Sequence, residues 1–148
     1  MRELKNKMLS PYLLAIAGGW LVSQGSKYIV ASIKARNLRQ FRQLYLSGNM
    51  PSAHSATSMA LVTVVGFTDG IDSAIFGVAT LAALIAMYDA MMVRRSVGEQ
   101  GLAIHEVIKA TKLTVLLPRS AKGHTPLEVI AGALVGIAVG CVVYIATN

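Results

Sequence analysis

The sequence predicts an all-α integral membrane bundle with about four spans and one further helix lying in the membrane interface. Hydrophobic residues make up 54% of the 148 residues and charged residues only 14%, whereas soluble domains contain about 25% charged residues. Four apolar stretches point to membrane helices, the second of which is short for a bilayer of about 30 Å. Nothing in the length or composition indicates a second domain, so residues 1–148 are expected to form a single one.

The predicted spans follow the apolar stretches in chain order. They cover approximately residues 11–33, 52–67, 73–93 and 127–146. The first stretch follows a short basic start but is longer than the apolar part of a signal peptide, so we expect it to be retained. Between the last two spans, residues 102–117 alternate apolar and polar side chains at helical spacing. This pattern predicts the interfacial helix.

The second and third spans form a hairpin around an acidic turn at residues 68–72. The segments that flank this hairpin therefore share one membrane face. Lys27 approaches the same face from about two turns before the end of the first span. The positive-inside rule would make this face cytoplasmic, unless its cations bind phosphate and do not report topology. The histidines and arginines collected on this face are His54, His124, Arg36, Arg39, Arg42, Arg94, Arg95 and Arg119.

The net charge of +7 lies between apolar segments, so we expect membrane lipids and a phosphorylated substrate as partners, and no nucleic acid. Topology signalling is the alternative explanation for most of the Lys and Arg residues. In the last span Gly132, Gly136 and Gly140 recur at intervals of four. Such a ridge predicts close helix packing, within the bundle or in a homodimer.

The first polar motif lies at the mouth of the second span, at residues 48–57. Pro51 and Ser52 are typical of a helix start. The free backbone N–H groups and the helix dipole favour an anion there, and His54 could hydrogen-bond or protonate a phosphate oxygen. The alternative is an interfacial histidine at a hydrophilic helix start.

The second motif lies at the mouth of the last span. Thr125, Pro126 and Glu128 fit a capping box. The capping box does not account for His124, which comes just before it. Glu128 could instead orient the imidazole of His124, and an imidazole held in this way is a competent nucleophile or base.

The third cluster closes the third span. Arginine binds phosphate through paired hydrogen bonds, so Arg94 and Arg95 are candidate ligands as well as ordinary topology anchors. Asp89 is costly at membrane depth unless it is paired, and we expect Arg94 or Lys27 as its partner. The sequence contains no zinc or magnesium spacing and no glycine-rich nucleotide loop, so no cofactor is expected.

Taken together, these motifs resemble the divergent branch of the type 2 phosphatidic acid phosphatase superfamily, which also includes the vanadium haloperoxidases. The matching segments are residues 48–56, 88–95 and 123–126, in the same order and spacing. The resemblance implies metal-free phosphoester hydrolysis through a phosphohistidine, with His124 as nucleophile, Glu128 orienting it and His54 protonating the leaving oxygen. It also implies that Lys27, Arg94 and Arg95 hold the phosphate, helped by the backbone around Ser52 and Ala53.

The sequence departs from the superfamily pattern in its cations. No Arg-Pro pair follows Lys27, and Arg119 stands five residues before His124 where the superfamily has six. The two histidines beside the cations, together with the resemblance, nevertheless predict a phosphatase that acts on a lipid or isoprenoid phosphate in the cell membrane. The alternatives are a non-catalytic protein that binds anionic lipid or scaffolds a partner and, more distantly, a haloperoxidase.

Overall fold

The computed structural model describes residues 10–39, 50–112, 115–116 and 123–148. All regular structure in these ranges is helical, and no strand occurs among them. The helices are α1 (Pro11–Ala35), α2 (Ala53–Asp69), α3 (Ala74–Tyr88), a π-helical turn (Asp89–Val93), α4 (Arg94–Thr111) and α5 (Pro126–Thr147).

The prediction of a helical, apolar bundle is confirmed. Within the described ranges, two continuous helices are long and apolar enough to cross a membrane, namely Ala74–Thr111 and Pro126–Thr147. Helix α2 has 17 residues, which is at the short limit for a hydrocarbon core of about 30 Å. Neither α1 nor α2 is among the two helices that are long and apolar enough. It therefore stays a prediction that these helices cross the membrane and that the chain has four spans.

The sequence predicts a separate interfacial helix at residues 102–117. In the structure, residues 102–111 are instead the end of α4, which is continuous with α3. Helix α3 passes through the π-helical turn directly into α4, and the backbone N–H of Arg94 donates to the carbonyl oxygen of Asp89. No residue in this turn breaks a helix, so the chain shifts register by one residue and continues. The combined helix of 38 residues is about 57 Å long. It is therefore longer than the hydrocarbon core, and its α4 end extends beyond it.

Helix α2 lies at the centre of the bundle and packs against α1, α3 and α5. The α2–α5 contact is made by the glycine ridge of α5. A Cβ atom at Gly132 or Gly136 would collide with a backbone carbonyl oxygen, that of Ser52 at the N-cap of α2 or that of Ala56. One at Gly140 would collide with Thr63. The ridge was predicted to pack within the bundle or in a homodimer, and the structure shows it packed within the chain. A homodimer through this ridge would require α2 to leave it.

The bundle core consists mainly of small residues. Ala15, Ala60 and Val64 form one buried cluster, and Val62 packs in a second one with residues of α3. Large apolar side chains on the outer faces of α3 and α5 are exposed, as expected for helices that face lipid. Small core residues allow the helices to pack closely against one another.

Candidate functional site

A cavity of about 530 Å³ lies between α1, α2 and α3 at the end of the bundle where α5 begins. Four of the predicted site residues line it, although they come from four separate segments of the chain. They are Lys27, His54, Arg94 and His124. The deeper part of the cavity is apolar and is lined by Ile16, Trp20, Leu61, Ala79, Ala82, Ala83 and Ala86.

His124 is positioned by the π-helical turn. Its backbone N–H donates to the carbonyl oxygen of Ala90 at 2.9 Å, and the preceding Gly123 lies flat against Arg95. A Cβ atom at Gly123 would lie 2.5 Å from the backbone nitrogen of Arg95, so only glycine allows this approach. The π-helical turn thus anchors the segment that precedes α5, in keeping with the frequent occurrence of such turns at functional sites.

Glu128 holds the imidazole of His124. Its Oε2 atom lies 3.1 Å from Nδ1 of His124 and also accepts the backbone N–H of Thr125 at 2.9 Å. The capping box is present as well, because the N–H of Glu128 donates to Oγ1 of Thr125. An ionised carboxylate can only accept, so Nδ1 carries the proton and Nε2 presents a lone pair. Both roles predicted for Glu128 are therefore performed by one oxygen atom.

The imidazole of His124 is almost fully enclosed, with 2% of its side chain exposed. Burial lowers the pKa of His124 below its ordinary value of 6.5. The hydrogen bond and the charge of Glu128 act in the opposite direction, whereas the charges of Lys27 and Arg94 lower the pKa further. The net effect of these surroundings favours the neutral form of the ring.

Lys27 and Arg94 supply positive charge to the cavity. Lys27 is 5% exposed and forms no salt bridge with any carboxylate in the described ranges. Nε of Arg94 donates to Oδ2 of Asp89 at 2.8 Å, which confirms the predicted partner of Asp89. This bond uses only one edge of the guanidinium and leaves its terminal nitrogens available. A buried and unpaired ammonium is costly, so the cavity is suited to an anion.

His54 lies one turn into α2 on the cavity wall, close enough to Arg94, His124 and Lys27 to interact electrostatically. Of the two residues whose backbone is predicted to help bind the phosphate, Ala53 lines the cavity and Ser52 does not. Its hydroxyl caps α2 by accepting the N–H of Ser55, and it is fully buried. Its own N–H donates to the carbonyl oxygen of Glu128 at 3.0 Å. Ser52 therefore joins the starts of α2 and α5 and does not line the cavity.

Arg95 is also not where the sequence places it. Its side chain is directed away from the cavity and pairs with Glu99 at 3.1 Å, one turn further along the exposed surface of α4. Asp89 acts through Arg94 and does not line the cavity either. The predicted residues Arg42 and Arg119, and the Gly48–Asn49 part of the first motif, lie outside the described residues.

Three polar residues of the cavity wall, Gln24, Thr57 and Ser58, are not among the residues identified from the sequence. Each lies one helical turn from a residue that is identified: Gln24 from Lys27, and Thr57 and Ser58 from His54. This spacing of three or four residues places them on the same helix face as those residues, and it was the available signal. Within the described ranges, no group of three or more His, Cys, Asp or Glu side chains is placed to hold a metal ion.

The fold and the cavity define a helical membrane protein in which a carboxylate-held histidine, a second histidine and two cations meet in one space. Comparison with known proteins agrees with this class. The model of the divergent PAP2 family matches residues 5–139. A relative from Bacillus subtilis (strain 168), named "Uncharacterized membrane protein YuiD", is 34% identical over 145 residues, covering 84% of this chain and 88% of that protein.

The chain therefore belongs to the divergent PAP2 family, and the resemblance inferred from the three motifs is confirmed. The name of the relative supports the membrane character of the chain. No solved structure matches the chain.

Proposed function

We propose that the protein is a membrane phosphatase that hydrolyses a lipid or isoprenoid phosphate monoester through a phosphohistidine. One observation carries this proposal. The imidazole of His124, held by Glu128 with its Nε2 lone pair free, lines the same cavity as the unpaired ammonium of Lys27. A nucleophile beside buried positive charge is the arrangement that phosphoryl transfer requires.

The shape of the cavity suits an amphipathic substrate. Its charged end lies where α2 begins and α5 is about to begin, and its apolar end lies about 10 Å deeper, since Leu61 is seven residues beyond His54 on α2. A phosphate bound between Lys27 and Arg94 would leave its hydrocarbon chain along the alanine-lined face of α3. The cell membrane is the proposed location, because such substrates reside there.

The first step is attack on phosphorus. Nε2 of His124 forms a bond to the phosphorus atom while the bond from phosphorus to the ester oxygen of the lipid breaks. His54 donates a proton to that oxygen, so the lipid leaves as a neutral alcohol. Lys27 and Arg94 hold the non-bridging oxygens, and Glu128 stabilises the positive charge that the ring of His124 acquires.

The second step restores the enzyme. His54, now unprotonated, accepts a proton from a water molecule as the water oxygen attacks the phosphorus atom. The bond from phosphorus to Nε2 breaks, inorganic phosphate leaves and His54 is again protonated. His54 thus acts as acid in the first step and as base in the second.

The test is phosphate release by the purified protein in detergent micelles that contain phosphatidic acid or a polyprenyl phosphate. We expect release by the unaltered protein and its loss in His124→Ala and in His54→Ala. The matched control is His105→Ala, because His105 lies on α4 and does not line the cavity. Unchanged release by His124→Ala would overturn the mechanism. Lipid binding without release by the unaltered protein would favour the non-catalytic alternative.

A further inference from the structure

Helix α4 stands apart from the rest of the bundle. It continues α3 through the π-helical turn, and because the combined helix is longer than the hydrocarbon core, α4 projects beyond it. Of the described helices, only the π-helical turn makes more than a marginal contact with α4. Most residues of α4 are exposed, so its surface is available to a molecule outside the bundle.

A row of residues at heptad spacing runs along one face of α4. Its members follow one another at alternating intervals of three and four residues, and we call them the α4 stripe: Val97, Gln100, Ile104, Val107 and Thr111. The apolar members Val97, Ile104 and Val107 are 47%, 49% and 60% exposed. A stripe with this spacing is the seam along which helices pair in coiled coils. Its exposure to water is unfavourable, so we expect a partner to cover it.

The charges of α4 lie away from the α4 stripe. From Ser96 onward, the residues on its two sides are small or apolar, namely Ser96, Ala103 and Ala110 on one side and Gly101 and Ile108 on the other. On the opposite face Arg95 pairs with Glu99, and Lys109 pairs with Glu106. Two copies of α4 can therefore approach each other along the stripe without bringing like charges together.

A protein partner suits the α4 stripe better than a lipid surface does. An interfacial helix lies in the plane of the membrane, with its apolar face in the lipid and its cations attracted to anionic headgroups. Helix α4 instead continues the direction of α3 away from the hydrocarbon core. Two of its cations, Arg95 and Lys109, are already paired with carboxylates of the same helix.

We infer that α4 pairs with α4 of a second copy of this chain as a parallel two-stranded coiled coil, with the α4 stripe as its seam. The alternate seam positions Val97, Ile104 and Thr111 are all β-branched, which is typical of parallel two-stranded coiled coils. Two copies in one membrane present α4 in the same direction and at the same height, which favours parallel pairing. This interface is separate from the glycine ridge of α5 and does not rest on the proposed function.

Gln100 sets the register of the pair. One N–H of its side-chain amide donates to Oγ of Ser96 at 3.2 Å, and the amide has a second N–H and a carbonyl oxygen. In a symmetric parallel pair the two Gln100 side chains meet, and each can donate to the carbonyl oxygen of the other. A polar residue at one seam position fixes the register of a coiled coil in this way.

The experiment is disulfide cross-linking of the full chain in membranes, in a Cys141→Ala background. Single cysteines are placed in the seam as Ile104→Cys and Val107→Cys, and on the opposite face as Leu102→Cys. Leu102 is the matched control because it is apolar and as exposed as Val107, at 60%. A disulfide requires Cβ atoms within about 4.5 Å of each other, so mild oxidation reports which residues face each other. A second series adds Ile104→Asp or Leu102→Asp to Val107→Cys.

We expect cross-linked dimers from both seam cysteines and none from Leu102→Cys. Ile104→Asp should abolish the cross-linking through Val107→Cys, whereas Leu102→Asp should leave it unchanged. Absence of cross-linking at both seam positions, or equal cross-linking at Leu102→Cys, overturns the inference. Quenching of a fluorophore on Ile104→Cys by lipids that carry a quencher also overturns it, because the stripe would then lie on the membrane.

Discussion

At the scale of single residues, the site depends on the sharing of one carboxylate oxygen. Oε2 of Glu128 accepts both the backbone N–H that begins α5 and Nδ1–H of His124. The helix start and the orientation of the imidazole are therefore set by the same atom. This explains why a capping box, which needs no functional explanation by itself, lies directly after the candidate nucleophile.

The first prediction concerns Glu128→Gln and pH. Glu128 raises the pKa of His124 against the stronger effect of burial, so its removal lowers this pKa further. The acid limb of the kcat/KM profile should therefore move to lower pH, because His124 stays neutral in more acidic solution. The rate at neutral pH should fall by about 10²- to 10⁴-fold, because a glutamine can hold the ring in the wrong tautomer.

Thr125→Ala is the control for this first prediction. It removes the hydroxyl half of the capping box at a cost of about 1 kcal/mol, but it leaves Glu128 on the ring of His124. The acid limb of the kcat/KM profile of Thr125→Ala should lie at the same pH as that of the unaltered protein. A shift of equal size in both variants would show that the effect comes from the helix start and not from the carboxylate.

The second prediction concerns Lys27→Met. Methionine matches the length of lysine without its charge, so the fold should be retained in α1. Loss of a charge-assisted bond to phosphate, worth about 1.5–3 kcal/mol, should lower kcat/KM by about 10- to 100-fold. Lys109→Met serves as control, because Lys109 pairs with Glu106 on the exposed face of α4. An equal loss of kcat/KM in both variants would show that Lys27 does not bind the phosphate.

At the scale of helices, the glycine ridge of α5 sets the spacing between α5 and α2. The third prediction follows from it. Gly136→Ala places a Cβ atom against the carbonyl oxygen of Ala56, and a backbone atom cannot move aside as a side chain can. We expect a loss of about 1–3 kcal/mol in stability, measured as a lower unfolding temperature in detergent micelles.

Gly77→Ala is the matched control for the ridge. A Cβ atom at Gly77 meets nothing within 4 Å, and alanine is the better helix former by about 1 kcal/mol. This variant should be as stable as the unaltered protein or more so. If Gly136→Ala were equally well tolerated, the α2–α5 contact would not be as close as described.

Most of the helices could be predicted from the sequence because each apolar stretch is long and carries its own start signal. Ser52 caps α2 and Thr125 caps α5, as expected from their types and positions. The continuity of α3 and α4 could not be predicted. Two adjacent arginines at Arg94 and Arg95 suggest the end of a span by composition, whereas the backbone continues through a π-helical turn that no residue type specifies.

The site could be predicted only in part, for a geometric reason. Topology alone brings His54 and His124 to one end of the bundle, since the predicted hairpin leaves them no alternative. Which side chains face the cavity depends on helix rotation, and this follows from tertiary packing. For that reason the sequence places Arg95 at the substrate although its side chain pairs with Glu99, and it does not identify Gln24, Thr57 and Ser58 as cavity residues.

At the scale of the whole molecule, the polar ends of the bundle differ in character. The turn between α2 and α3 holds Asp69 and Asp72, whereas the opposite end holds the cations and histidines of the cavity. If α2 and α3 both span the membrane, these ends lie on opposite faces. The positive-inside rule then favours the cytoplasmic side for the site.

The fourth prediction tests this arrangement. In a Cys141→Ala background, Asp72→Cys and Glu106→Cys introduce one thiol at each end of the bundle, because Cys141 is the single natural cysteine. A membrane-impermeant thiol reagent added to sealed membrane vesicles should label only one of the two. Labelling of both variants from the same side, with the vesicles intact, would contradict a spanning hairpin.

The most direct measurement for the central claim is to trap the covalent intermediate. The purified protein is incubated with ³²P-labelled phosphatidic acid, quenched in alkali, which preserves phosphohistidine, and digested for peptide mapping. We expect the label on the peptide that contains His124, with His105→Ala labelled equally and His124→Ala not at all. Label that persists in His124→Ala, or phosphate release at the normal rate without any labelled histidine, would contradict the assignment of His124 as the nucleophile.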